Sequence, residues 1–326
     1  MSDKNAAVWK NYDATGRDLH VDVPLSNAIM NYTTQGLVGE FIFPVIPVDK
    51  QSNMIKYFPL GEFLRSESLE RAPGTEANQL KFSVSSMGYF CKNYAAKYPI
   101  TLEDRENADA LWNVRENGAQ LIVDAIRIAK EVRAFNIVNS TSNVSTAFKP
   151  ASAWNASANA GDPYLLITQV QDQIQNTTGF RPNRIVFGTT AWQTFVVNSP
   201  VKGLLFPHGG GIPTLTQASA IFNAECQIAE GYYNTAGENI TAALTSFFAD
   251  RVLIFYKAPG QSRIGPRPQF GATLRWTLPA IPNMAVEALP FDRSKKAEFV
   301  EVGVYDDEKV LDTTLAATII GVNSAQ

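Results

Sequence analysis

Residues 101–140, TLEDRENADALWNVRENGAQLIVDAIRIAKEVRAFNIVNS, constrain the fold of this chain more than any other stretch. Leu111, Val114, Gly118, Leu121, Ala125, Ile128, Val132 and Phe135 recur at steps of three and four, the spacing of one stripe along an α-helix. Ile122, Ile126 and Ala129 widen the stripe, while Asn113, Arg115, Asp124, Arg127, Lys130 and Arg133 fall largely on the opposite side. Thr101 stands three residues before Asp104, a capping-box spacing. Acidic residues crowd the start and basic residues the end, the order that suits the helix dipole. The pattern predicts one helix of roughly 50 Å at about 1.5 Å per residue, about three times the average length. With a single apolar stripe it must lie across something extended. Either it is a long core helix of an α+β domain, or it is the spine of a flat, elongated subunit.

At 326 residues the chain can bury a large core and hold one to three domains. Charged residues are only 18%, so more of the surface is available to be covered by something else. The formal net charge of -3 argues against a whole-protein electrostatic grip on nucleic acid, which needs clustered Lys and Arg. Cys91 and Cys226 form no CxxC pair, and a reducing compartment is the expectation. No apolar run reaches the length of a membrane span, and the N-terminal MSDKNAAVWKNYD has no signal-peptide core. The protein is expected to be made and kept in a cytoplasm, with no membrane partner.

Residues 1–40 are polar, with scattered apolar side chains such as Val21, Val23 and Ile29, and read as an extended arm with a short helix near 25–32. FIFPVIPV, 41–48, carries two prolines that exclude a helix or a central strand, and is expected as a buried extended segment. Strands are expected at 54–58 and 80–98. Between them lies a charged connector with a turn at 72–75, far longer than a hairpin loop. Such a ribbon has no core of its own. It is either a flexible surface loop or a partner-binding arm.

Residues 141–161 read as a linker. Asp162-Pro163 opens a helix that Gly179 stops. A buried strand at 182–188 and a helix capped by Thr189 or Thr190 and ended by Asn198 and Pro200 complete a compact α/β subdomain. Residues 201–215 read as an exposed glycine-rich loop. Strands follow at about 225–233 and 246–256, and the chain is β-rich from 270 onward. Val300, Val302 and Val304 share one face, 306–309 is a turn, and a last strand follows it.

Catalytic chemistry is hard to find. His20 and His208 lie in separate segments, and the His208-Gly-Gly-Gly run resembles an esterase oxyanion loop without the G-x-S-x-G elbow. No P-loop, G-x-G-x-x-G, HExxH or EF-hand pattern occurs. The pairs Glu103-Asp104 and Asp306-Asp307 are accounted for by a helix start and a turn. No catalytic, cofactor or metal residue is assigned. Arg65, Glu67, Glu70 and Arg71 alternate in sign at the arm tip and are the candidate intersubunit contacts, each exposed pair worth on the order of 0–1 kcal/mol.

Taken in order, these parts resemble the major capsid proteins of tailed bacteriophages with the HK97-type fold. Phe43–Val48 looks like the lead into the extended loop, and Tyr57–Arg65 and Ala72–Glu76 like its two sides. Leu102–Val138 is similar to the spine helix of the peripheral domain. Pro182–Gly188, Trp192–Pro200 and Phe248–Tyr256 resemble parts of the axial domain. The resemblance implies an α+β subunit with an N-terminal arm (1–48), an extended loop (49–99), a peripheral domain (100–160 and 266–326) and an axial domain (161–265). It implies self-assembly as pentamers and hexamers around double-stranded DNA, with no sequence-specific DNA contact. It further implies a separate scaffold protein, a portal, a possible decoration protein, assembly in a bacterial cytoplasm and residence in the virion. The alternatives are an encapsulin-type nanocompartment shell and, in a different class, a hydrolase using His208 and its glycine loop.

Overall fold

The computed structural model describes residues 36–62, 79–107, 113–144, 147–155, 161–206, 211–236, 243–260, 267–277 and 285–323, with Leu25, Leu64, Glu70, Arg71, Pro73, Gly74, Glu76, Ala77, Ile240 and Thr241. The expected arm over 1–35, apart from Leu25, lies outside these residues. So do the helix near 25–32, His20, His208, Arg65 and Glu67.

Gly39–Ile42 forms one helical turn, α1, and the Phe43-Pro44 step ends it, because a residue before proline is pushed out of the helical region. Strand β1 (Val45–Val48) follows. The chain then runs through β2 (Ser52–Tyr57), β3 (Ser85–Phe90), β4 (Lys92–Thr101), α2 (Leu102–Asn107), α3 (Val114–Asn139), β5 (Ala147–Phe148) and α4 (Pro163–Thr178). Next come β6 (Arg184–Gly188), α5 (Thr189–Val197), α6 (Ser199–Leu205), α7 (Leu215–Phe222), β7 (Glu225–Ala229), β8 (Tyr232–Asn234) and β9 (Leu244–Ser246). The last strands are β10 (Arg251–Phe255), β11 (Gly271–Trp276), β12 (Ala285–Asp292), β13 (Ala297–Val310) and β14 (Ala316–Ile320). One five-stranded sheet has the order β1-β11-β13-β12, with β4 also on β13; a second runs β5-β14-β10-β6-β7. β2-β3 and β8-β9 are separate two-stranded ribbons. Pro47 is tolerated in β1 because that strand is a sheet edge among the described residues.

Contacts divide the chain into two compact units. One takes in the described residues of Asn93–Ile126 and Thr277–Tyr305; the other takes in those of Thr34–Lys92, Arg127–Trp276 and Asp306–Gln326. In the first, Ile100 of β4 and Ala119, Ile122, Val123 and Ile126 of α3 pack on Val286, Val300, Val302 and Val304. The three valines of β13 share a buried face, as their alternation predicts. The second unit holds two clusters. One is rich in aromatic rings, among them Phe41, Phe43, Phe135, Phe248, Phe255 and Phe270. The other packs α4, α5 and α7 over β6 and β10 around Trp154, Phe187, Phe195 and Phe222.

Several local expectations hold. Asp162 accepts from the N–H groups of Tyr164 and Leu165, and Gly179 stops α4 in the left-handed region at φ +76°. Thr101 and Asp104 form the expected side-chain cap. Others do not hold. The long helix is not continuous: α2 ends at Asn107, and Asn113 starts α3 by accepting from Glu116 N. The longer piece has 26 residues, roughly 39 Å. Its buried face is also turned from the predicted stripe. Leu121 is 60% exposed and Ala125 and Ala129 are exposed, whereas Lys130 and Glu131 are buried. Lys130 and Glu131 are drawn in by polar partners, Glu40 and Asp306 for the first and the N–H groups of Val38 and Gly39 for the second.

The strand predicted over 80–98 is two, β3 and β4, which pair with different partners. The linker at 141–161 contains β5 and a fully buried Trp154, whose carbonyl and that of Gly161 accept from Asn198 Nδ2. No threonine caps α5; Thr189 is its first residue. Residues 201–205 are helical rather than loop, because Asn198 caps α6 by accepting from Val201 N. Thr214 and Gln217 form a capping box that starts α7, a helix the sequence reading left out. The turn expected at 306–309 is the continuation of β13.

Candidate assembly interface

The β2-β3 ribbon is antiparallel, with Ser52 opposite Phe90 and Tyr57 opposite Ser85. Its side chains find little cover. Met54 is 64% exposed, Phe82 56%, Phe90 53% and Val84 49%, in a ribbon that cannot bury a core of its own. Leu64 and Leu80 are exposed as well. Six large apolar side chains are thus exposed within residues 54–90.

The base of the ribbon is held firmly. Cys91 N donates to Gln51 O at 2.8 Å, Gln51 Nε2 to Cys91 O at 3.2 Å, Tyr89 Oη to Lys50 O at 3.0 Å and Phe90 N to Asp307 Oδ2 at 3.0 Å. Burial pushes the Cys91 thiol up to about 11, the state of a structural rather than a reactive cysteine. Trp276 Nε1 donates to Asp49 O, fixing the step from β1 into the ribbon. A concavity of about 410 Å³ opens there, lined by Ile46, Pro47, Asn53, Met54, Ile55 and Tyr89 among others. Farther out, Phe58 and Phe82 meet edge to face, Ser83 Oγ bonds Glu62 and Leu60 packs on the aromatic cluster. The ribbon is held at its root, leaves Met54 and Phe90 largely exposed, and beyond Tyr57 the chain touches the body again through Leu60 and Leu64.

Beside the root lies a charge cluster. Arg275 of β11 and Asp306 of β13 stand opposite each other in register. The guanidinium donates through Nε and Nη2 to the two carboxylate oxygens, both at 2.7 Å, and Asp306 is completely buried. Burial opposes the charge on Arg275, but the bonds and charge of Asp306 outweigh it and raise the guanidinium above its ordinary range. Lys130 Nζ lies 3.8 Å from Asp306 and donates to Glu40 at 2.9 Å. Burial acts to raise the Glu40 carboxyl, and Lys130 overrides it, so the net shift is downward. Arg133 forks onto Glu308 at 2.9 and 3.1 Å. Glu131, 2% exposed, accepts from Val38 N and Gly39 N, each at 2.7 Å, and so caps α1 from outside. A Cβ on Gly39 would sit 2.5 Å from Glu131 Oε2, so only glycine allows this approach. Arg184 donates to Phe41 O at 2.6 Å and lies over the Phe41 ring. Glu131 and Lys130 thus bind residues 38–40 to the spine helix, and Arg184 binds Phe41 to β6.

Of the four predicted contact residues, Glu70 and Arg71 are exposed and Arg65 and Glu67 lie outside the described residues. Sequence reading missed the charge cluster. Its one visible signal was Glu131, an acid set between Ile128 and Phe135 on an apolar helix face. Among the described residues no group of three His, Cys, Asp or Glu side chains is placed to hold a metal, and no helix is long and apolar enough to cross a membrane.

The mixed α+β chain, with its long helix, two five-stranded sheets and two-stranded ribbons, has the fold of HK97-type phage capsid proteins. Within that class the chain resembles a phage major capsid protein. It is 25% identical over 262 residues to the major capsid protein of Burkholderia phage BcepMu, covering 78% of this chain and 83% of that one. A phage-related protein of Bordetella bronchiseptica RB50 superposes with a TM-score of 0.73 at 15% identity, covering 94% and 99% of the two chains. The capsid of cyanophage P-SCSP1u gives 0.58 at 14% identity, covering 90% of each, and a virus-like particle of Pyrococcus furiosus gives 0.51 at 10%, covering 90% and 95%. No family model matches the chain.

Proposed function

We propose that this chain is the structural major capsid protein of a tailed phage and that it self-assembles into an icosahedral shell around double-stranded DNA. The observation that carries this reading is a firmly rooted ribbon, β2-β3, with Met54 and Phe90 largely exposed and Phe82 and Val84 exposed just before it, in a chain similar to a named phage major capsid protein. Its role is structural rather than catalytic. Copies form pentamers and hexamers, with 1–48 as an arm, 49–99 as the extended loop, 100–160 with 266–326 as peripheral domain and 161–265 as axial domain. Arg65, Glu67, Glu70 and Arg71 meet a neighbouring copy at the loop tip. A separate scaffold protein, a portal and a decoration protein are the further partners. The DNA is enclosed without sequence-specific contact, which fits the net charge of -3. The particle forms in the host bacterial cytoplasm and the chain ends in the virion.

Likeness of fold does not separate a virion shell from an encapsulin-type nanocompartment; the sequence match to the BcepMu protein favours the virion. Electron microscopy of the full chain expressed alone tests the reading. Closed shells or capsomers without cargo are expected. A co-purified enzyme cargo turns the reading to a nanocompartment, and a compact monomer under all conditions overturns both.

A further inference from the structure

We propose that the open face of the β2-β3 ribbon docks on helix α2 of a second copy of the chain, its apolar side chains meeting Leu102 and its lysines meeting the α2 carboxylates. The inference rests on the shell reading and deepens it, by naming the surface of the neighbour that the ribbon meets. The register sets Ser52 opposite Phe90, Met54 opposite Gly88 and Lys56 opposite Ser86. Residues directly opposite in an antiparallel pair share a face, so these six form one side of the ribbon. All six are exposed, with Met54 and Phe90 as its large apolar groups. On the other side Tyr89 is buried and Ile55, Tyr57, Ser85 and Met87 are partly covered. The first side is a sheet face with no partner among the described residues.

Charge complementarity selects the partner. The two strands and their flanks, residues 50–61 and 77–92, hold Lys50, Lys56, Lys81 and Lys92 and no Asp or Glu; the acids nearest in sequence are Asp49, Glu62 and Glu76. All four lysines are exposed, and none has an ion-pair partner among the described residues. Asp307, which accepts from Phe90 N, is itself paired with Lys309 at 3.5 Å. A face that is apolar and cationic fits a surface that combines apolar side chains with carboxylates. Helix α2 is such a surface. None of its residues is buried. Glu103, Asp104 and Glu106 stand there against one cation, Arg105, and Leu102 beside them is 37% exposed. The start of the helix is fixed, because Thr101 and Asp104 cap each other and Leu102 N donates to Lys296 O at 3.0 Å. Its carboxylates are thus presented on an ordered backbone, which lowers the ordering cost of docking.

Charge reversal in the full chain tests this. Sedimentation over a range of concentrations reads association, and electron microscopy reads its form. Lys56→Glu with Lys81→Glu reverses the ribbon, and Glu103→Lys with Glu106→Lys reverses α2. Each pair of changes should raise the concentration needed for association roughly tenfold, since exposed ion pairs give way to repulsion. The four changes together should restore it. If circular dichroism shows a reversed chain to be unfolded, the same positions are changed to Gln, with about a threefold weakening expected for each pair. Association unchanged by either pair of changes, or not restored by the four together in a folded chain, overturns the proposal. Closed wild-type shells with that result leave the shell reading standing, whereas a wild-type chain that never associates overturns both.

Discussion

Asp306 offers the sharpest test of how the spine helix and the first sheet are tied. It is completely buried and accepts a two-pronged bond from Arg275 at 2.7 Å on each oxygen, with Lys130 at 3.8 Å. Asp306→Ala leaves a buried guanidinium and a buried ammonium to share Glu40, whose side chain is 64% exposed. Breaking a buried pair from one side costs about 3–5 kcal/mol, because the stranded charge has lost water as well as its partner. At about 2–4 °C per kcal/mol this lowers Tm by roughly 10 °C, read by thermal unfolding with the protein held in one assembly state. The reasoning separates loss of attraction from stranding of charge. Removing both partners as Arg275→Met with Asp306→Leu should recover much of the loss, since apolar replacement of a buried pair is often near neutral. A loss under about 1 kcal/mol for Asp306→Ala, or a double variant as unstable as the single, refutes the argument.

Deleting residues 62–79 should leave a folded subunit, by circular dichroism, that builds no closed shells under the microscope; normal shells would remove the loop from the assembly contacts. Trp154→Ala should cost about 3–5 kcal/mol, because a fully buried ring is lost from the α4–α5–α7 cluster. The same change should raise amide exchange around Asn198, which donates to the Trp154 carbonyl. Burial holds both thiols near 11, so Cys91 and Cys226 should resist alkylation at pH 8 in the native chain and react once urea unfolds it.

What could be read from the sequence was what local chemistry dictates. Asp162 and Gly179 bracket α4 because an N-cap acceptor and a left-handed glycine act within a few residues of themselves. Val300, Val302 and Val304 declare a strand face for the same reason. The failures on α3 and at 306–309 involve partners distant in sequence. The sequence pattern puts Lys130 on the solvent side because charge usually goes there; Glu40 at 2.9 Å and Asp306 at 3.8 Å, 90 and 176 positions away, hold it inside. Lys130 is buried between Glu40 and Asp306 and Glu131 against the N–H groups of Val38 and Gly39, while Leu121, Ala125 and Ala129 are exposed. At 306–309 the strand replaces the turn, with Asp306 in register opposite Arg275. Both differences involve Asp306. Other signals were local but went unread: Asn113 with Glu116, and Thr214 with Gln217, mark helix starts as clearly as Asp162 does. The ribbon is a third case, in which the expected pair of strands forms but most of its apolar side chains stay exposed. Nothing elsewhere among the described residues covers Met54 or Phe90, and the apolar surface they leave is the reason to look for their partners on another copy of the chain.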